Sequence, residues 1–185
     1  MDYTAFSHGQ ITSKKWLCEE LEPHIPDNAV IWVLGSWYNL IAFMLMVRGN
    51  KKIHSIIGFD IEPDSKPIAD MICNAWNCFD PCVFNNTADA NSLDWTNPPD
   101  IVINCSGEHF EKTTWWEHVP SNTTVAIQSS SMVDAGPAWD VKQPNPTMET
   151  FLNRHPVQTV LYTGKKFIDM GVNGSYERYM LIGKK

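Results

Sequence analysis

The sequence predicts an α/β fold built on a mostly parallel seven-stranded sheet. Apolar runs alternate with helical segments through the first five strands, the signature of strand–helix–strand units. The first run, AVIWVLG, shows no polar alternation, as expected of a strand covered on both faces. The last two runs, VQTVLYTGKKF and YERYMLIGKK, are separated only by IDMGVNGS. That gap is too short for a crossover helix, so the pair should be antiparallel, with one reversed strand near an edge.

Taken in order, SKKWLCEELEPHIP reads as a short amphipathic helix, with Ser13 as its cap and Trp16, Leu17 and Leu21 on its apolar face. Pro23 and Pro26 end it. After AVIWVLG, the segment NLIAFMLMVRGN is apolar all round and predicts a buried helix stopped at Gly49 and Asn50. IHSIIGFD is the second strand, and DSKPIADMICNAWNC a helix with Asp64 or Ser65 at its cap and Pro67 in its first turn. PCVFNNTADA holds a short third strand, DIVINCS the fourth and TTVAIQSSS the fifth. KTTWWEHV and METFLNRHP are short helices, the latter stopped by Pro156. Residues 131–147 form a long loop of the kind that covers binding sites.

The 185 residues suit one domain, expected over 1–185 with residues 1–27 as an N-terminal helical extension. With 43% hydrophobic and 19% charged residues, the composition is that of a soluble globular protein. The net charge is −7 and no Lys/Arg run exceeds two residues, which disfavours binding to a nucleic-acid duplex. A cationic or neutral small ligand suits such a domain better. Five cysteines, an odd number without a dense framework, predict free thiols in a reducing compartment. Cys73, Cys78 and Cys82 lack the paired spacing of a zinc site, and no metal is expected. The opening MDYTAFSHGQ lacks the basic start and apolar core of a signal peptide, and no run is long enough to span a bilayer. The expected setting is cytoplasmic, with no membrane partner.

In open parallel sheets, ligands bind beyond the carboxyl ends of the strands, where strand order reverses. The residues placed there are Gly35-Ser36-Trp37-Tyr38, Asp60-Ile61-Glu62, Asp89-Ala90, Asn104 to His109, and Gln128 to Ser130. A single glycine ending a buried strand marks a close approach to the backbone, here expected to be a ligand's. Asp60 could accept hydrogen bonds from a ribose diol. Glu108 and His109, just past a buried strand, are candidates to remove a proton or to orient the group that does. The alternative is that they cap the next helix. NPPD, residues 97–100, precedes the fourth strand and reads as the loop that starts it.

The series VLGSWYN, GFDIEP, TADANSLDW and DIVINCSGEHF, over about residues 28–185, resembles the Rossmann-like class I S-adenosylmethionine-dependent methyltransferases. The resemblance is one of order and spacing. It implies a three-layer sandwich and S-adenosyl-L-methionine as cofactor. It also implies that Gly35, Ser36 and Trp37 pass the methionine part, that Asp60 holds the ribose, and that Ile61 presses on the adenine. Asp89 would reach the adenine amine with Ala90 beside it, while Asn104, Ser106, Glu108 and His109 face the sulfonium and a small-molecule acceptor. The acceptor would be held by the N-terminal helix and the 131–147 loop.

The family's glycine-rich loop has two or three glycines, whereas this one has Gly35 alone, followed by the bulky Trp37 and Tyr38. Two alternatives therefore stay open: a degenerate or cofactor-cleaving relative on the same fold, and a non-enzymatic binding module.

Overall fold

In a computed structural model, the structure describes residues 1–74, 81–133, 140–171 and 174–185. Seven strands form one sheet in the order β3-β2-β1-β4-β5-β7-β6. They are β1 Ala29–Leu34, β2 Ile53–Asp60, β3 Cys82–Thr87, β4 Ile101–Asn104, β5 Thr124–Ser130, β6 Thr159–Asp169 and β7 Ser175–Lys184. β1 to β5 are parallel, and β7 runs antiparallel to both β5 and β6. The reversed strand thus lies one in from the edge. Strand order switches between β1 and β4, so the tips of these two strands part and leave a crevice.

The unalternating β1 run is explained by helices on both faces. Ile31 and Val33 enter one core with Leu17, Leu21, Ile41 and Leu45. These side chains come from α1 (His8–Leu21) and α2 (Leu40–Val47). Trp32 and Leu34 enter the opposite core with Trp115, Trp116 and Phe151. Those belong to α4 (Thr114–His118) and α5 (Met148–Arg154). The remaining helix, α3, spans Ser65–Asn74 on the first face, where Cys73 joins the core.

Two expectations need correction. α1 begins at His8, capped by Ser7, whose Oγ accepts from the Gln10 N–H; Ser13 lies inside the helix, and its hydroxyl donates to the Gln10 carbonyl. Ahead of α1, Tyr3–Phe6 forms a 3-10 turn, and the backbone N–H of Asp2 donates to Tyr38 Oη at 2.8 Å. IDMGVNGS is not all loop either, because β6 continues through Asp169.

The Asp100 carboxylate accepts from the Val30 N–H at 2.8 Å, and the Asp100 N–H returns a bond to the Val30 carbonyl. The end of NPPD therefore locks β4 to β1 at the strand starts, away from the crevice. Among the described residues, no helix is long and apolar enough to cross a membrane. The cysteines 18, 73, 82 and 105 are free thiols, and Cys78 lies outside the described residues.

Candidate functional site

At the strand-order switch lies a cavity of ≈ 750 Å³, within the size range of small-molecule sites. Its walls come from the β1, β2 and β4 tips, the segment after β3, the N-terminal turn with α1, and β7.

The β1 tip contributes Gly35, Ser36, Trp37 and Tyr38. Gly35 has φ of +60°, a conformation that L side chains rarely adopt. A Cβ there would lie 2.8 Å from Ser106 Cβ and 2.9 Å from Phe110 Cε1. The close approach that the lone glycine signalled is thus made by the protein's own β4 segment. Ser106 Oγ completes it, donating to the Gly35 carbonyl at 2.9 Å. Trp37 also has positive φ, and its N–H donates to Asp60 Oδ2 at 2.6 Å.

Asn39 caps α2 from the left-handed region. Its amide donates to Asn85 Oδ1 at 2.8 Å, passing over Gly58, where a Cβ would sit 2.5 Å from Asn39 Nδ2. A buried amide pair therefore ties the β1 turn to β3 across a glycine.

Asp60 ends β2 at the cavity wall. Its second oxygen accepts from the Glu62 N–H at 3.0 Å, so both oxygens are oriented by backbone donors and keep lone pairs free. Ile61 lines the cavity with its side chain 64% exposed, an apolar surface without a protein cover. After β3, Asp89 holds the N–H and side-chain amide of Asn91 on Oδ1 alone. Its Oδ2 has no hydrogen-bond partner among the described residues. Ala90 completes this wall.

Past β4 the expected residues separate. Ser106 and His109 line the cavity; Asn104 and Glu108 do not. Asn104 is fully buried, and its Oδ1 accepts from the Ser106 N–H at 2.9 Å beneath the Gly107 turn. Its position forms the turn rather than the cavity wall.

Glu108 is 5% exposed, and its carboxylate is saturated. Oε2 accepts from Ser129 Oγ (2.8 Å), Ser130 N–H (2.6 Å) and Ser130 Oγ (3.0 Å), while Oε1 accepts from Arg178 Nη1 at 3.0 Å. Burial opposes its ionisation, but Arg178, His109 and these donors win and hold the carboxyl below the usual range. The Glu108 carbonyl also accepts from the N–H groups of Lys142 and Gln143. The geometry of Glu108 is that of a structural hub joining β4, β5, β7 and residues 142–143, not of a base open to the cavity.

His109 is 41% exposed, with Nδ1 3.3 Å from the Asp140 carbonyl and Nε2 3.7 Å from Glu108 Oε1. Residues 134–139, at the heart of the expected covering loop, lie outside the described residues; Asp140 lines the cavity. Among the described residues, no group of three His, Cys, Asp or Glu side chains could hold a metal ion.

Sequence reasoning missed Gln10, Lys14, Phe110 and Arg178, which also line the cavity. A charged residue set among the apolar residues of the last strand was the available signal for Arg178. Lys14 had none, because a lysine near the start of a helix reads as solvated.

No protein-family model and no curated protein matches the sequence. Solved structures do match in shape. A candidate sarcosine dimethylglycine methyltransferase from Galdieria sulphuraria superposes with a TM-score of 0.70 at 14% identity, over 95% of this chain and 86% of that one. The fold is that of the class I methyltransferases. The N-methyltransferase NodS from Bradyrhizobium japonicum matches with a TM-score of 0.66 at 10% identity, over 97% of this chain and 99% of that one. NodS has also been crystallised with S-adenosylhomocysteine. Coclaurine N-methyltransferase, bound to N-methylheliamine and S-adenosylhomocysteine, matches with a TM-score of 0.68 at 11% identity, over 95% of this chain and 72% of that one.

Proposed function

We propose that this chain is an S-adenosylmethionine-dependent methyltransferase acting on a small-molecule acceptor. The observation that carries the reading is the shared cavity. Asp60 and Asp89, on the tips of adjacent strands, face it together with the Gly35 turn at the strand-order switch. The donor set fits an adenosyl sulfonium. Asp60 offers oriented carboxylate oxygens to a ribose diol, and Asp89 Oδ2, unpartnered among the described residues, offers an acceptor to an exocyclic amine. Ile61 offers an apolar face to a planar ring. Six carboxylates against three lysine and arginine side chains line the cavity, a balance that favours a cationic ligand.

The cofactor would supply an activated methyl group for direct displacement, a reaction in which alignment provides most of the acceleration. The chain's task is then to orient and to exclude water. The N-terminal turn, tied to Tyr38 through Asp2, walls one side of the cavity. Where the acceptor carries a proton, His109 is the proposed group to take it, at the imidazole nitrogen not facing the Asp140 carbonyl. Glu108 would act as a positioning residue, holding the turn from which His109 projects.

One observation favours a second reading, a non-enzymatic relative on the same fold that does not take the cofactor: Ser106 and Phe110 already occupy the space beside Gly35. Calorimetric titration with S-adenosylmethionine and S-adenosylhomocysteine tests the binding. Saturable binding that falls at least tenfold in Asp60→Ala supports it, and no binding by the wild type overturns it. Formation of S-adenosylhomocysteine over a panel of small amines and acids then separates transfer from binding alone.

A further inference from the structure

Lys14 is a cation for which the described residues supply no anion. It lies on α1, is 9% exposed and lines the cavity. Its ammonium donates to Gln10 Oε1, a neutral amide one turn earlier, and makes no ion pair with any carboxylate among the described residues. An ammonium has three donors, so two are left for something else. The charged neighbour on the same side is Arg178, 5% exposed, but its own charge is answered by Glu108 at 3.0 Å and its Nη2 by the Cys105 carbonyl at 2.8 Å. Of these two buried cations, only Arg178 is paired with a carboxylate among the described residues. Burial, with a further push from Arg178, lowers the Lys14 pKa to about 8. The acidic lining comes from other segments: Asp60 and Glu62 lie at and after the end of β2, Asp89 follows β3, Asp2 precedes the N-terminal turn, and Glu111 and Asp140 lie between β4 and α5. A buried charge without a counter-ion is unfavourable unless a ligand provides one.

We propose that Lys14 seats a carboxylate of the bound ligand. The inference deepens the methyltransferase reading, under which the carboxylate has two sources: the amino-acid end of the cofactor, or an acid group on the methyl acceptor. In either case Gln10 orients the ammonium, and Arg178, already paired with Glu108, leaves the ligand's carboxylate to Lys14. The carboxylate takes the two free donors of Lys14 as charge-assisted hydrogen bonds.

The test compares wild type, Lys14→Met and Lys14→Arg by calorimetry on the full chain, with S-adenosylhomocysteine, 5′-methylthioadenosine and benzoate as probes. If the cofactor supplies the carboxylate, Lys14→Met weakens S-adenosylhomocysteine at least tenfold and leaves 5′-methylthioadenosine, which lacks the amino acid, unchanged. If the acceptor supplies it, Lys14→Met binds both nucleosides as wild type does, and benzoate uptake by the S-adenosylhomocysteine-saturated protein falls at least tenfold. Lys14→Arg retains part of the binding in either case, and it carries the comparison should Lys14→Met fail to fold. Equal binding of all three probes by wild type and variants overturns the proposal. Failure of the wild type to bind either nucleoside would sink the methyltransferase reading instead. Benzoate uptake by the free protein then decides Lys14: uptake lost in the variant upholds its role, and no uptake, or uptake unchanged by the substitution, overturns it.

Discussion

Replacing Glu108 by glutamine separates a structural hub from a catalytic base. The carboxylate accepts three hydrogen bonds on Oε2 and one from Arg178 on Oε1. Glutamine fills the same volume, but one end becomes a donor. With its oxygen toward Ser129 and Ser130, its NH2 confronts the Arg178 guanidinium; flipped, its NH2 confronts the Ser130 N–H, a donor that cannot reverse. Either way Arg178, 5% exposed, loses its counter-charge. Breaking a buried ion pair from one side costs about 3–5 kcal/mol. Glu108→Gln should therefore lower the urea midpoint by that amount over the wild-type slope, with S-adenosylhomocysteine affinity falling only as the folded fraction falls. A variant within about 1 kcal/mol of wild type in stability, but with turnover abolished, would refute the hub argument and return Glu108 to the chemistry.

Further outcomes follow from other sites. His155 is buried against the rings of Trp115, Trp116 and Phe151, and burial pushes its pKa down to about 4. Because the folded value lies below the unfolded one, the unfolded chain takes up the proton first. The stability linked to His155 is present above about pH 6.5 and is lost as pH falls toward 4, by roughly 3 kcal/mol in all. His155→Phe should flatten that part of a stability–pH curve measured by denaturant titration, and an unchanged slope would refute it. Gly35→Ala places a Cβ 2.8 Å from Ser106 at φ +60°; the loss should be about 1–3 kcal/mol by thermal melting, with nucleoside binding impaired in the folded fraction. Gly58→Ala drives a Cβ against Asn39 Nδ2 at 2.5 Å. It should cost about 1–3 kcal/mol through the broken Asn39–Asn85 pair, and a second substitution, Asn85→Ala, should then cost much less than it does alone.

The order of elements was legible because it rests on local signals. Unbroken apolar runs, a glycine stop at Gly49 and an eight-residue gap between the last two strands each carry their own physical reason. The placement of Asp60 and Asp89 on the cavity wall was legible because a strand end in a parallel sheet is a place, whatever the side chain's other contacts. The start of α1 was not. Its first half carries Gly9, Gln10 and Lys14 where an apolar face would signal a helix. Gln10 and Lys14 line the cavity, and Gly9 admits Tyr176 Oη to 2.8 Å of where its Cβ would be. Direction was also hidden at Glu108 and His109. Adjacency placed both beyond β4, but the 3-10 turn buries one and leaves the other 41% exposed. The partners that settle Glu108 lie 21, 22 and 70 residues away, beyond any local pattern. Lys14 escaped for the same reason, whereas Arg178 carried a local signal as a charge in an apolar strand.

The most direct measurement of the central claim is a crystal structure of the chain grown with S-adenosylhomocysteine. The account predicts the ribose hydroxyls within hydrogen-bond distance of the Asp60 carboxylate, the adenine against Ile61 and its amine near Asp89. A ligand bound elsewhere, or a cavity that Trp37 or Phe110 has closed with the nucleoside excluded, would contradict it.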